Sequence, residues 1–132
     1  MTKYLEIDEV LLIHQTMIKL YGGRLDIHDF TLLHSAIERS KATFGGVDLY
    51  PTIFEKASAL IQSLILNHPF DDGNKRTAIS SCARFLYINN WKLQLPIQES
   101  IKFTLKIDSH KLSFKETANW LKKHAKKKFM YL

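Results

Sequence analysis

The sequence predicts an all-α protein, a compact single domain of about six helices with one short extended flap. Three observations lead to this prediction. Apolar residues recur at intervals of three and four through most of the chain, which is the period of an amphipathic helix. At two predicted helix starts, Thr52 and Ser113, a serine or threonine stands three residues before a glutamate, a pattern that caps helix N-termini. One segment, residues 42–51, departs from the helical period.

The first half of the chain contains three predicted helices. The first ends at Gly22-Gly23, because glycine readily adopts the left-handed backbone that terminates many helices. The third begins at Thr52, which forms a predicted capping box with Glu55. The residues expected to face the core are, helix by helix, Val10, Ile13, His14, Met17, Ile18 and Tyr21; Phe30, Leu33, Ala36 and Ile37; Phe54, Ala57, Leu60, Ile61, Leu64 and Ile65.

The second half is predicted to contain three more helices. The fourth runs from near Gly73 to about Asn89, and Pro96 fits the first turn of the fifth. Ser113 and Glu116 form a second predicted capping box, at the start of the sixth. The residues expected to face the core are Ile79, Cys82, Ala83 and Leu86; Ile97, Ile101 and Leu105; Phe114, Ala118, Leu121 and Ala125.

The segment 42–51 contains two glycines, a proline and several residues that favour β structure. This composition predicts an extended or hairpin-like loop between the second and third helices. Exposed loops on a rigid scaffold frequently hold substrates. The flap is therefore a candidate substrate-binding element.

The net charge of +6 and the pI near 9.4 are compatible with nucleic-acid binding. Much of the excess positive charge lies in Lys122–Lys128. A basic helix C-terminus also favours solubility and complements the helix dipole, so a solvated tail is the preferred interpretation. A nucleic-acid contact and a docking surface for an acidic protein stay open as alternatives.

Nothing in the chain points to a membrane or a disulfide. Its apolar runs are too short for a transmembrane helix, and its N-terminus lacks the apolar region of a signal peptide, so a cytoplasmic location is expected. Cys82 is the one cysteine, which excludes an internal disulfide and a cluster of cysteine metal ligands. Its position on a helical core stripe predicts a buried, inert thiol.

Residues 68–76 read His-Pro-Phe-Asp-Asp-Gly-Asn-Lys-Arg, an unusually varied set of polar side chains for so short a stretch. Pro69 prevents the third helix from continuing, so His68 lies at a helix exit and close to the start of the fourth helix. A helix N-terminus presents unpaired N–H groups and partial positive charge. That arrangement favours an anion such as a phosphate group.

Each side chain of this segment suits a different role. Histidine is the side chain that most readily gains and loses a proton near neutral pH, so His68 is a candidate general base toward a hydroxyl. Asp72 either caps the fourth helix or carries Mg²⁺ together with phosphate oxygens. Asp71 is expected to be a bystander. The candidate phosphate-binding residues are Gly73, Asn74, Lys75 and Arg76.

Structural alternatives exist for each of these residues. A lone histidine near a helix end is usually structural, and an Asp-Gly-Asn run is more often a turn than a cation site. Asn74 would then bridge backbone groups, and Lys75 would be a solvated charge. The spacing does not match a Walker A loop. The combination favours a site that removes a proton from a hydroxyl beside a bound polyphosphate.

The motif from His68 to Arg76 resembles the signature of the Fic/Doc superfamily. Lys75 is similar to the death-on-curing (Doc) branch, whereas the adenylylating Fic branch typically has glycine there and an arginine at the position of Ile79. The segments 44–46 and 48–51 also resemble the Doc sequence that precedes the motif. The likeness extends over about residues 4–95, although many members have Arg-Pro where this chain has Arg-Ser at 39–40.

The resemblance implies a single Fic/Doc domain over residues 1–132 that acts as the toxin of a type II toxin–antitoxin module. Doc-type toxins are protein kinases that move the γ-phosphoryl group of ATP to a threonine of elongation factor Tu and so block translation. ATP and Mg²⁺ are the implied cofactors. An adenylyltransferase on the same fold is the first alternative, and a non-enzymatic basic module that binds nucleic acid is the second.

The resemblance also assigns roles to residues. His68 is the implied base, and Asp72 orients either that histidine or the metal–phosphate assembly. The nucleotide phosphates are held by Gly73, Asn74, Lys75 and Arg76. The target peptide adds as a strand to the flap, whose implied residues are Phe44, Gly45, Gly46, Asp48, Leu49 and Tyr50.

Such an enzyme must be restrained in the cell that makes it. The inhibitory helix of some Fic enzymes, Ser/Thr-x-x-x-Glu-Gly/Asn, has no convincing match in this chain. The resemblance therefore implies a small Phd-like antitoxin that acts in trans. Trp120 and Phe129 are candidates for its groove, with core or edge packing as the alternative. A membrane partner is not expected, and nucleic acid is expected only indirectly, through the antitoxin.

Overall fold

The computed structural model describes residues 1–128, and its helix content confirms the predicted all-α class. The helices are α1 (Ile7–Tyr21), α2 (Phe30–Glu38), α3 (Ile53–Leu66), α4 (Asn74–Ile88), α5 (Ile97–Asp108) and α6 (Phe114–Lys123). The strands are β1 (Thr43–Phe44), β2 (Val47–Asp48), β3 (Trp91–Leu93) and β4 (Ala125–Lys127). Six helices and the flap, β1–β2, match the expectation, whereas the ribbon β3–β4 does not follow from the sequence pattern.

Helix α3 is the centre of the domain. Ten of its 14 residues are buried, which requires cover on nearly every side. The helices α2, α4, α5 and α6 supply that cover, and α1 packs against α4. A helix enclosed in this way is part of a core rather than a surface element. None of the helices in residues 1–128 is long and apolar enough to cross a membrane.

The two predicted capping signals both mark helix starts. The Ser113 hydroxyl accepts from the Glu116 N–H at 3.0 Å, and the Glu116 carboxylate accepts from the Ser113 N–H at 2.9 Å, which completes the box. The hydrogen bond that the Glu116 carboxylate accepts from the Ser113 N–H lowers the pKa of Glu116, and the Ser113 side chain contributes in the same direction. The Thr52 hydroxyl also accepts a hydrogen bond from the Glu55 N–H, at 3.2 Å. The Glu55 carboxylate, however, accepts from that hydroxyl instead of from the Thr52 backbone N–H. The predicted capping box at Thr52 and Glu55 therefore has only one of its two side-chain-to-backbone hydrogen bonds.

The prediction of which face of α5 enters the core is wrong. Ile97, Ile101 and Leu105 are 74%, 51% and 50% exposed, whereas Phe103 and Ile107 are buried in the core. This helix carries two apolar faces. A helical period shows that a face is apolar, but it does not show which of two such faces meets the rest of the protein.

The remaining helices bury most of their predicted stripes, with differences near the ends. Tyr21 at the end of α1 and Phe30 at the start of α2 are more than half exposed. Ile79 and Ala83 in α4 are half-buried. Cys82 is buried as predicted, and burial raises the pKa of its thiol, which keeps it in the unreactive protonated form.

Helix α6 ends at Lys123, so the prediction that it includes Ala125 is wrong. Residues Ala125–Lys127 form β4, which pairs antiparallel with β3. Alanine and lysine have low strand propensity, so this pairing depends on β3 rather than on β4 itself. Within β3, Trp91 packs edge-on against Phe54 of the core, with 5.0 Å between ring centroids.

Candidate functional site

The connection between α3 and α4 is held by backbone hydrogen bonds. The Pro69 carbonyl accepts from the N–H groups of His28 and Asp29 at 2.8 and 3.1 Å. Just before it, His68 has a φ of +45°, a left-handed conformation that is uncommon for residues other than glycine. Such a conformation persists where the surrounding structure fixes it. The loop therefore presents His68 from a defined backbone.

Phe70 and His14 attach the centre of the motif to α1. Their rings stack nearly parallel with centroids 3.7 Å apart, and both residues are buried. His14 Nε2 donates a hydrogen bond to the Asp72 carbonyl at 2.8 Å. The prediction that His14 faces the core is confirmed. Its bond to the motif could not be read from spacing, because the two residues are far apart in the chain.

The side chain of Asn74 binds the backbone of Phe70. Asn74 Oδ1 accepts from the Phe70 N–H at 3.0 Å, and Nδ2 donates to the Phe70 carbonyl at 2.8 Å. The alternative in which Asn74 bridges backbone groups is therefore the one that its side chain adopts. Its backbone N–H and the second hydrogen of Nδ2 are left for a phosphate, so the predicted role of Asn74 stays a prediction.

Helix α4 begins with an open set of backbone donors. Its N-cap is Gly73, at φ +79°, which has no side chain to cap the helix. The first hydrogen bond of the helix runs from the Thr77 N–H to the Gly73 carbonyl. Within residues 1–128, the N–H groups of residues 74–76 have no hydrogen-bond acceptor. Three such donors, together with the helix macrodipole, are an arrangement that favours an anion.

Two cationic side chains lie at this helix start. Lys75 Nζ is 3.5 Å from Asp108 Oδ2, and its side chain is 42% exposed. The Arg76 guanidinium lies over the Tyr21 ring, 4.3 Å from its centroid. Both side chains stay accessible to solvent, so both are available to an anion at the helix start.

The His68 side chain projects from the loop and is 55% exposed. Among the described residues, the ionic contact of its ring is with Asp108, whose Oδ1 lies 3.5 Å from His68 Nε2. Asp108 is the last residue of α5 and is absent from every expectation based on the motif. One signal was available in the sequence, since an acidic residue at a helix C-terminus is unfavourable for the helix itself.

The Asp72 carboxylate makes a different contact. Its Oδ2 accepts from the Arg24 N–H at 2.8 Å. No contact within residues 1–128 supports the prediction that Asp72 orients His68, and the N-cap of α4 is Gly73. Binding of Mg²⁺ by Asp72 stays a prediction. No cluster of three or more histidine, cysteine or acidic side chains occurs in the described part of the chain, so phosphate oxygens would have to complete the coordination.

A cleft of about 560 Å³ opens at the α4 N-terminus, between α1, α4 and α5. Its lining includes residues 73–76 and an apolar wall, but not His68. The exposed apolar side chains of α5 form much of this wall, so they line the cleft instead of packing in the core. The apolar lining residues are Met17, Tyr21, Ile79, Ile97, Ile101 and Leu105.

The flap is a hairpin, as predicted. Strands β1 and β2 pair antiparallel, with Thr43 opposite Asp48 and Phe44 opposite Val47. Residues 45–46 form the turn, at φ values of +58° and +79°, which suit a two-residue hairpin turn of glycines. The ribbon has two strands, and no further strand of the described chain pairs with either of them.

Two of the predicted flap residues anchor the hairpin. Asp48 forms a 2.9 Å ion pair with Lys56 Nζ, and the Lys56 side chain is buried. The Tyr50 hydroxyl accepts from Arg39 Nε at 3.1 Å, so Arg39 has a structural role. The side chains that face solvent are Phe44 (82% exposed), Val47 (68%) and Leu49 (53%), of which Val47 is an addition to the predicted set.

Trp120 packs against aromatic side chains of the same chain. It is stacked between Phe103 and His124, with centroid distances of 3.6 and 3.9 Å. The packing alternative is therefore confirmed for Trp120. Phe129, the other groove candidate, lies outside the described residues.

Two comparisons agree with this geometry. The model of the Fic/DOC family matches residues 4–86, which include the flap and the whole motif. The protein named toxin Doc of Mycolicibacterium smegmatis is 45% identical over 93 residues, covering 70% of this chain and 69% of that protein. The range that the family model matches, residues 4–86, lies within the predicted extent of likeness, residues 4–95. The chain therefore belongs to the Fic/Doc family.

Proposed function

We propose that this protein is the toxin of a type II toxin–antitoxin module and that it transfers the γ-phosphoryl group of ATP to a threonine or serine hydroxyl. The observation that carries the proposal is the start of α4, where three N–H groups without an acceptor in residues 1–128 accompany two cations, and where Asp108 contacts both Lys75 and the exposed His68. Similarity to the toxin Doc supports the role as a toxin.

Phosphoryl transfer depends mainly on positioning and on charge neutralisation. The backbone donors of residues 74–76, with Lys75 and Arg76, hold the phosphate oxygens. His68 takes the proton of the target hydroxyl as that oxygen bonds to the γ-phosphorus. The bond from the γ-phosphorus to the bridging oxygen breaks, and ADP leaves with its electron pair. The protein needs no covalent nucleophile.

Asp72 is the residue that we expect to hold Mg²⁺. Its carboxylate is exposed, and no hydrogen bond engages Oδ1 within residues 1–128. One carboxylate combined with phosphate oxygens and water is a usual environment for this ion. When bound, Mg²⁺ neutralises charge on the phosphates.

The flap is the proposed binding site for the target segment. Its two-stranded ribbon leaves backbone donors and acceptors on its outer edges, to which an extended peptide can add as a strand. The exposed side chains of Phe44, Val47 and Leu49 offer apolar contacts. Elongation factor Tu is the target that the resemblance implies.

Adenylyl transfer is the alternative, because the same phosphate site can present either the α- or the γ-phosphorus to the hydroxyl. Lys75 replaces the glycine of the adenylylating branch, and Ile79 replaces its second arginine. Ile79 lies in the apolar wall of the cleft and so supplies no charge to a phosphate there. Both departures favour phosphoryl transfer.

The test uses elongation factor Tu, Mg²⁺ and ATP labelled on either the α- or the γ-phosphate. We expect label from the γ position alone, and a mass increase of the target equal to one phosphate. His68→Ala should abolish transfer, whereas His34→Ala, an exposed histidine on α2, should leave it unchanged. Label from the α position would establish adenylyl transfer, and no transfer by the folded protein would refute both activities.

Restraint by a small Phd-like antitoxin in trans is part of the proposal. The cleft beside α4 supports it, since an amphipathic segment laid on the exposed face of α5 would find an apolar surface. The cleft includes residues 73–76, so its occupant would compete with the nucleotide phosphates. This surface replaces Trp120 as the candidate groove.

A further inference from the structure

Asp108 lies between two residues of the proposed site although it is outside the motif. Its Oδ1 is 3.5 Å from His68 Nε2, and its Oδ2 is 3.5 Å from Lys75 Nζ. The Asp108 side chain is 28% exposed, so these contacts are partly shielded from water. One carboxylate therefore contacts both the candidate base and a candidate phosphate ligand.

The position of this carboxylate is not explained by α5 itself. Asp108 is the last residue of that helix, where the macrodipole is negative and a basic side chain is the favourable choice. Lys106 in the same turn follows that preference. An acid at this end is compensated only by its cationic neighbours, which here are Lys75 and, when protonated, His68.

The backbone of the motif is held by hydrogen bonds, whereas the His68 ring makes no hydrogen bond within residues 1–128. Hydrogen bonds hold Pro69 and Phe70 on one side of it. The ring itself is more than half exposed, and Asp108 is its ionic contact in the described chain. A general base must direct a particular nitrogen toward its substrate. The group that faces the other nitrogen determines the tautomer and the ring orientation.

We propose that Asp108 is a positioning residue for the transfer reaction, an inference that rests on the proposed function of His68. Asp108 Oδ1 faces His68 Nε2 and favours the tautomer with hydrogen on that nitrogen. Nδ1 is then the nitrogen that takes the proton of the target hydroxyl. The resulting imidazolium is stabilised by the Asp108 carboxylate, and the 3.5 Å contact shortens to a charge-assisted hydrogen bond as the proton arrives.

The competing explanation is that Asp108 acts through Lys75 alone. In that case it would tune the position of a phosphate-binding cation and would have no effect on the base. The two explanations predict different kinetics, because loss of a base-positioning group lowers kcat, whereas loss of uniform nucleotide binding raises KM for ATP.

The kinetic test compares Asp108→Asn and Asp108→Glu with Glu99→Gln, a charge removal at the other end of the same helix. Asp108→Asn should lower kcat about 10- to 1,000-fold with little change in the KM for ATP. This range lies between the loss caused by removing a carboxylate that supports a metal ligand and the loss caused by changing the aspartate of a catalytic triad. Asp108→Glu should restore part of the loss, and Glu99→Gln should have no effect. An unchanged kcat in Asp108→Asn would overturn the proposal.

A second measurement separates the two partners of Asp108. The Asp108→Asn change is repeated in a Lys75→Ala background. If Asp108 acts on His68, the same fold-loss in kcat persists there, since the two effects are independent. If the loss disappears, Asp108 acts through Lys75, and its role as a positioning residue for the base is refuted.

A third measurement does not require catalysis, so it still decides the matter if the wild-type protein transfers no group. The ring ¹⁵N signals of the six histidines are recorded by NMR, with His68→Gln used to assign the His68 signals. In Asp108→Asn, the Nδ1 and Nε2 signals of His68 should shift while those of His14, His28, His34 and His124 stay in place; His110 is left out because it lies two residues from Asp108. Unchanged His68 signals in a folded variant would show that Asp108 does not act on the ring.

Discussion

Polar side chains of the motif differ in whether their hydrogen-bonding atoms are already used. Both ends of the Asn74 amide bind Phe70, and His14 Nε2 donates to the Asp72 carbonyl. A side chain with its polar atoms satisfied inside the protein is not free to bind a ligand. His68 and Lys75, in contrast, are about half exposed and each has a single long ionic contact in residues 1–128. The motif thus contains residues that build the loop and others whose side chains are open to solvent.

The Gly73 position provides a test at the residue scale. At φ +79° an L-residue is strained, and an added Cβ would lie 3.1 Å from the Ile18 Cδ1. Gly73→Ala should lower the free energy of unfolding by about 1–2 kcal/mol, measured by urea denaturation. It should also weaken ATP binding in calorimetry, because the shifted backbone misplaces the donors at the start of α4.

Gly22→Ala is the matched control for this change. Gly22 has a φ of +85°, and a Cβ added there meets no atom within 4 Å. Gly22→Ala should lower the free energy of unfolding by a similar amount and leave the affinity for ATP unchanged. If Gly73→Ala binds ATP as tightly as the wild type, the anion site is not at this helix start.

At the scale of elements, the flap depends on one buried cation. Lys56→Met would leave Asp48 without its ion-pair partner, although Asp48 is half exposed and can be rehydrated. The free energy of unfolding should fall by up to about 3 kcal/mol, less than for a fully buried pair. The KM for the target protein should rise while the KM for ATP stays the same.

Lys41→Met is the comparison for the flap. Lys41 pairs with the exposed Glu38, and a surface pair of this kind contributes about 0–1 kcal/mol. Little change in stability or in the KM for the target is expected. A rise in the KM for ATP in Lys56→Met, without one for the target, would argue against the flap as the target site.

Helix α5 shows how one element can contain two kinds of apolar residue. Ile107→Ala should cost about 2–5 kcal/mol in thermal or urea unfolding, because Ile107 is buried in the core. Ile101→Asp should change stability by less than about 0.5 kcal/mol, since Ile101 is half exposed. The Ile101 change should instead weaken binding of the antitoxin. A large stability loss in Ile101→Asp would mean that this face packs against the protein.

At the scale of the whole molecule, the basic C-terminal region is partly built into the fold. Lys122 and Lys123 end α6, but Lys126 and Lys127 belong to β4 and pair with β3. The cross-strand pair of Lys126 with Lys92 places like charges opposite each other, which does not favour the ribbon. The ribbon is therefore held by its backbone pairing and by Trp91 against the core.

The solvated-tail interpretation can be tested without disturbing that ribbon. Replacing Lys122, Lys123, Lys126 and Lys127 with glutamine should leave stability and transfer activity unchanged. Truncation after Leu121 should destabilise the protein, because it removes β4. The measurements are thermal unfolding and the transfer assay. RNA or DNA affinity that falls steeply with salt, and that the four substitutions abolish, would instead support the nucleic-acid alternative.

Local patterns were sufficient to predict six helices, the hairpin flap and the position of the motif. The helical period, the serine–glutamate box at 113–116 and the Gly45-Gly46 turn act over a few residues each, so the chain displays them directly. The motif likewise predicts an anion site at a helix start, because its glycine and its two cations are contiguous. Family membership also follows from the sequence, through the match over residues 4–86.

The remaining features depend on contacts between segments that are far apart in the chain. The choice between the two apolar faces of α5, the pairing of β4 with β3 and the stack of His14 on Phe70 all follow from packing. The same holds for Asp108, which meets His68 and Lys75 only because the end of α5 lies beside the start of α4. Periodicity reports that a face or a charge is present, but packing of the whole chain sets which partner it meets.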